Sequence, residues 1–122
     1  MKTPKLLLLI ALLAPVAFAA DETYVGWVSD SGCALARASS GTYTATNPDC
    51  ARRCVKEGKK IVLISQERKT VFMIENAEAL RSEVGNRVSI SATSARKNSL
   101  HVNKLLASEK SNPECGRPTL KE

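Results

Sequence analysis

The first apolar stretch is continuous. Leu6 to Leu13 follows Lys2 and Lys5 and gives way to Pro15 and Ala17-Phe18-Ala19. A basic start, a short apolar run and a small-x-small end are the three parts of an export signal. A membrane span takes about 20 apolar residues, and this run is shorter, so residues 1–20 read as a signal peptide cleaved near Ala19 or Ala20. Beyond it the apolar positions recur with strand periods. Thr23 to Ser29 is β-branched and aromatic, with Gly26 in its middle where a strand bends or bulges. Val25 and Trp27 fall on one face of that strand, and Tyr24, Gly26 and Val28 on the other. Trp27 is therefore expected to be a structural residue. Ile61 to Gln66 and Thr70 to Glu75, separated by Glu67-Arg68-Lys69, read as a hairpin. Arg87 to Ala95 alternates with Val88, Ile90 and Ala92 on one face, Arg96-Lys97-Asn98 turns the chain, and Ser99 to Leu106 makes a last strand with Leu100 and Val102 inward.

Helical signals are fewer. Ser31 to Pro48 holds no sustained period and reads as a long loop. Asn47 and Pro48 suit the cap and first residue of a short helix that carries Cys50 and Cys54 and ends at Gly58. Asn76 suits the cap of a second helix through Ala77-Glu78-Ala79-Leu80, with Gly85 beyond its last turn. Five strands with a helix between the third and fourth is the element order of the OB-fold. The expectation is a mainly β domain over residues 21–107, a five-stranded OB-like Greek-key barrel with two short helices, followed by an irregular tail over 108–122. An open α+β sheet with the same elements is the alternative.

Removal of residues 1–20 from the 122 leaves about 100, enough for one domain with a modest core. Lys2 and Lys5 leave with that segment, so 16 of the 18 Lys and Arg remain against 12 Asp and Glu, and the net charge falls from +6 to +4. A mild basic excess serves solubility and can steer an acidic partner. Arg52, Arg53, Lys56, Lys59 and Lys60 are its densest cluster and read as a solvated helix face. All four cysteines, Cys33, Cys50, Cys54 and Cys115, lie beyond the signal, and an even count in a small exported chain predicts two disulfides. Side chains four apart on a helix have Cβ atoms about 5–6 Å apart, whereas a disulfide wants about 3.8 Å. Cys50 and Cys54 are thus expected to pair with Cys33 and Cys115, in one of two arrangements that spacing leaves open.

The segments Gly26-Trp27-Val28-Ser29-Asp30-Ser31-Gly32-Cys33 and Cys50-Ala51-Arg52-Arg53-Cys54-Val55, with Gly58, resemble a family of small exported bacterial proteins classed as a domain of unknown function. Its members have a Gly-x-Val-x-Asp-x-x-Cys strand, a Cys-x-x-x-Cys-Val helix and a barrel-like β remainder. The resemblance implies the fold and the export, and no activity. Members often carry a histidine four residues after the first cysteine; Arg37 stands there in this chain.

The chemistry on offer is sparse. Cys50 and Cys54 point the same way and could chelate an ion with Cys33 and Cys115, but zinc sites usually show two tight cysteine pairs, and an oxidising compartment favours disulfides. A thioredoxin-like role wants Cys-x-x-Cys, one residue closer than this spacing. His101 lies opposite Leu100 and Val102 with no acid near it in sequence, and reads as exposed and idle. No serine sits in a Gly-x-Ser-x-Gly elbow, no glycine loop suits a phosphate, and Glu75 and Glu78 suit capping or a solvated surface. Tyr24, Trp27, Tyr43 and Phe72 are few platforms for stacking bases, and Phe72 reads as core. The expected function is therefore a non-enzymatic, exported binding or envelope-associated module without cofactor or metal. It would be stapled by cysteines, monomeric and periplasmic or extracellular. Its partner would be a small molecule or an envelope protein, with no nucleic acid and no membrane insertion after signal removal. The alternative is a metal- or thiol-active protein using Cys50 and Cys54.

Overall fold

The computed structural model describes residues 21–110. The expected signal peptide, Cys115 and most of the expected tail lie outside them. Five strands form: β1 (Glu22–Asp30), β2 (Ile61–Ser65), β3 (Thr70–Ile74), β4 (Arg87–Arg96) and β5 (Ser99–Glu109). They hydrogen-bond in the order β1-β2-β3-β5-β4, and β4 returns to β1 to close the sheet into a barrel. All the pairings are antiparallel except β3 with β5.

Closure depends on β1 serving two partners. Glu22 to Trp27 pair with β4, and Trp27 to Asp30 pair with β2, so the handover falls on Trp27. Gly26, just before it, is buried, and a Cβ there would stand 2.2 Å from the Ile64 carbonyl oxygen. The glycine lets two backbones approach where the strand changes partner.

Inside the barrel, Tyr24, Val28, Leu63, Ile90 and Leu100 pack with Leu80 and Ala51, which close the barrel from outside the sheet. A second cluster lies on the outer surface, where Ala34 packs with Val62, Ile64 and Val71 and the half-buried Trp27, Tyr43 and Met73. All five residues of β2 are buried because it is covered on both faces. Trp27 belongs to this outer layer, with the Arg87 guanidinium 5.7 Å from its ring centroid. Full burial of a tryptophan makes its truncation cost about 3–5 kcal/mol. For half-buried Trp27, we expect Trp27→Ala to cost about 2 kcal/mol in urea unfolding, since roughly half that contact is lost.

The helices correct the sequence reading in two places. Ser31 to Ser39 is a helix, α1, and not the start of a long loop. The Asp30 carboxylate caps it by accepting the Cys33 N–H at 3.0 Å. Its inward positions are Ala34 and Ala38, which carry too little apolar weight to show a period, and only residues 40–47 remain irregular. Helix α2 (Pro48–Lys56) forms as expected, with the Asn47 side chain accepting the Cys50 N–H and Gly58 beyond its end at φ +100°. The expected second helix is a 3₁₀ helix, Ala77–Glu83, and Asn76 makes no side-chain cap to it. Asn76 instead exchanges two 2.8 Å hydrogen bonds with the backbone of Val102 on β5. Strand β5 also runs past the expected domain end at 107, to Glu109, which pairs with Arg87.

Glu83, at the end of the 3₁₀ helix, accepts hydrogen bonds from Asn86 (2.9 Å) and from the Ser108 hydroxyl. These bonds, Asn86 first, hold its carboxyl below the usual carboxylate value. A depressed folded-state pKa contributes stability above the ordinary value, about 4.3, and loses it as pH falls through the folded value. Melting curves of the parent and Glu83→Gln are thus expected to differ at neutral pH and to converge on acidification below pH about 4.

Candidate functional site

The end of β1, the first turn of α1 and the C-terminal half of α2 converge on Asp30. This residue is the last of β1 and the cap of α1, and it is fully buried. Capping places Cys33 in the first turn of α1, directly over the carboxylate. Helix α2, which packs on β1, brings Cys54 to the same point. A carboxylate oxygen of Asp30 and the Sγ atoms of Cys33 and Cys54 all lie within 4.8 Å of one another. One carboxylate oxygen, Oδ2, accepts the Cys33 amide, whereas Oδ1 is buried with no hydrogen-bond partner. Burial first, then the charge of Asp30 and the neighbouring Cys54, push the Cys33 thiol above its ordinary pKa.

Spacing left open which cysteine faces Cys33. The structure brings Cys54 to it, while Cys50, one turn earlier on α2, is exposed and outside the group. Among the described residues, the cluster of possible ligands thus holds Cys54 and not Cys50. All three described cysteines are thiols, with no two at bonding distance.

A second feature is electrostatic. Lys59 and Lys60, just after α2, face Arg81 of the 3₁₀ helix across a cavity of about 570 Å³ floored by Val55, Ile61 and Ile74. A neighbouring cavity of about 290 Å³ shares Val55 and Arg81 and adds Arg52 and Lys56. Arg52 is paired with Asp49 at 3.1 Å and Arg81 with Glu78 at 2.7 Å, both on the surface, where such pairs hold little energy. The Arg81 hydrogen bond, then its charge, lowers the Glu78 carboxyl. Among the described residues, Lys56, Lys59 and Lys60 have no carboxylate within 4.0 Å. Part of the cluster read as a solvated helix face thus lines a groove.

The remaining candidates stay apart from both features or contribute one wall. His101 is exposed, but its Nδ1 lies 3.8 Å from Glu75, an acid that no sequence proximity announced. Glu75 also lines the larger cavity. Tyr24 and Phe72 meet edge to face inside the barrel with centroids 5.3 Å apart. Burial is the main cause that raises the Tyr24 hydroxyl pKa, with Arg68 above its ring at 4.1 Å. No described helix is long and apolar enough to cross a membrane.

No family model matches the chain, and neither a curated protein nor a solved structure shows significant similarity to it.

Proposed function

We propose that the chain is an exported, non-enzymatic binding module on an OB-like Greek-key barrel, with α1 and α2 tied by a Cys33–Cys54 disulfide, and that it recognises a small anionic ligand. The observation that carries this reading is the basic groove beside α2, where Lys59, Lys60 and Arg81 stand over an apolar floor. Concave sites that combine an apolar lining with a few convergent charges are suited to small ligands. The strand order β1-β2-β3-β5-β4 and the handover within β1 favour the OB-like assignment.

Two observations weigh against single-stranded nucleic acid. The outer surface of β2 and β3, where OB barrels stack bases, is occupied by the α1 cluster. Tyr24 and Phe72 point into the core. Export rests on the lysines, apolar run and Ala17-Phe18-Ala19 of residues 1–20. N-terminal sequencing of the exported form is expected to begin at residue 20 or 21, and a chain still starting at Met1 would contradict export.

Binding is tested with pyrophosphate as the probe, followed by amide shifts in two-dimensional NMR. Saturable shifts are expected at Lys59, Lys60 and Arg81, and the Lys59→Glu, Lys60→Glu double variant should lose them. Shifts that do not saturate, or that survive the double variant, would remove the groove as the recognition surface.

A further inference from the structure

We infer that, with its cysteines reduced, the chain holds one zinc-like divalent cation between Asp30, Cys33 and Cys54. This site is separate from the basic groove and does not depend on it. A zinc centre places sulfur about 2.3 Å and carboxylate oxygen about 2.0–2.2 Å from the ion, so its tetrahedral ligand edges are about 3.5–3.8 Å. The three ligand atoms already lie within 4.8 Å of one another, and small side-chain rotations bring them to that spacing.

The second observation is Asp30 itself. Its Oδ1 is buried and unpartnered, while Oδ2 is fixed by the Cys33 amide. A buried carboxylate is retained where a cation or a full set of donors compensates its lost hydration. A Cys33–Cys54 disulfide would satisfy the sulfurs and leave Oδ1 as it is. A cation would satisfy all three groups at once. The cap bond orients the carboxylate before any ion arrives, as hydrogen bonds to the ligands do in established metal sites.

Both cysteines are half-buried, so a fourth position opens toward solvent and takes a water. Binding replaces the two thiol protons: the ion forms two metal–sulfur bonds and one metal–oxygen bond, and two protons leave to solvent. No electrons move. The disulfide and the ion are alternative occupants, the first formed by loss of two electrons to an oxidant and the second without one.

The test uses the exported chain, reduced and kept anaerobic, titrated with cobalt(II) and then zinc(II). One cobalt per chain is expected, with thiolate-to-metal charge-transfer absorption that zinc displaces and that oxidation of the chain abolishes. Cys33→Ser and Cys54→Ser should each remove the band, and Cys50→Ser should leave it unchanged. Asp30→Asn keeps a capping side chain, and circular dichroism checks its fold; its cobalt affinity is expected to fall at least about tenfold. Absence of the band, its persistence in Cys33→Ser, or its loss in Cys50→Ser would each overturn the site. Unchanged affinity in a folded Asp30→Asn would overturn the role of the carboxylate. Should that variant unfold, the cysteine variants still decide. Pyrophosphate binding by the oxidised chain reports on the groove alone, so failure of either proposal is distinguishable.

Discussion

Reduction of the oxidised chain is expected to lower its melting temperature by on the order of 10 °C or more. The proposed cross-link would join Cys33 of α1 to Cys54 of α2, whose sulfurs the fold brings within 4.8 Å. Closing the 22-residue loop from Cys33 to Cys54 removes roughly 3 kcal/mol of chain entropy from the unfolded state, and a domain of this size shifts by about 4–8 °C for each kcal/mol. The closed loop includes α1 and the irregular residues 40–47, which contribute little to the barrel interior. Without the link, that segment is held chiefly by the outer cluster around Ala34 and by the caps at Asp30 and Asn47. Cys54→Ser is expected to melt near the reduced parent. Peptide mapping of the oxidised chain should recover Cys33 joined to Cys54. A Cys33–Cys50 peptide, or a melting curve indifferent to reduction, would refute the pairing and its energetic role respectively.

Strands were readable in this chain because β-branched and apolar residues alternate along them, and burial follows that alternation in β4, where Val88, Ile90 and Ala92 are buried. Helix α1 was not readable because its inward residues are alanines, although Asp30 three positions before Cys33 was a capping signal in plain view. Asn76 looked like a cap, and its side chain went to Val102 because a backbone strand 26 residues away offered both a donor and an acceptor. That choice is tertiary and leaves no local mark. The candidate sites show the same division. Cysteine count and spacing put Cys33, Cys50, Cys54 and Cys115 forward together, but the approach of Cys33 to Cys54, and the carboxylate beneath them, required the packing of α2 on β1. Lys59 and Lys60 were visible as charge; the groove they line needs Arg81, brought across by the 3₁₀ helix.

Gly26→Val is expected to destabilise the domain by at least about 3 kcal/mol, the upper part of the range for overpacked interiors, and to leave little folded protein near physiological temperature. Space sets this cost, since Gly26 does not have a positive φ. Its Cβ would stand 2.2 Å from the Ile64 carbonyl oxygen and 3.2 Å from the Leu63 side chain, well inside van der Waals contact. Relief requires β1 and β2 to move apart next to Trp27, the residue that pairs with both β2 and β4. Opening that seam breaks the ring of strands and exposes Tyr24 and Val28, which lie on the same face as Gly26. Gly41→Ala is the control. Gly41 has φ +82° with nothing within 4 Å of a Cβ, so only the backbone penalty applies, about 1–2 kcal/mol. Urea unfolding of the two variants separates the effects: Gly41→Ala should remain folded with a modest loss, and Gly26→Val should not. Comparable losses in the two would mean that β1 can part from β2 at low cost, and the handover at Trp27 would no longer account for closure of the barrel.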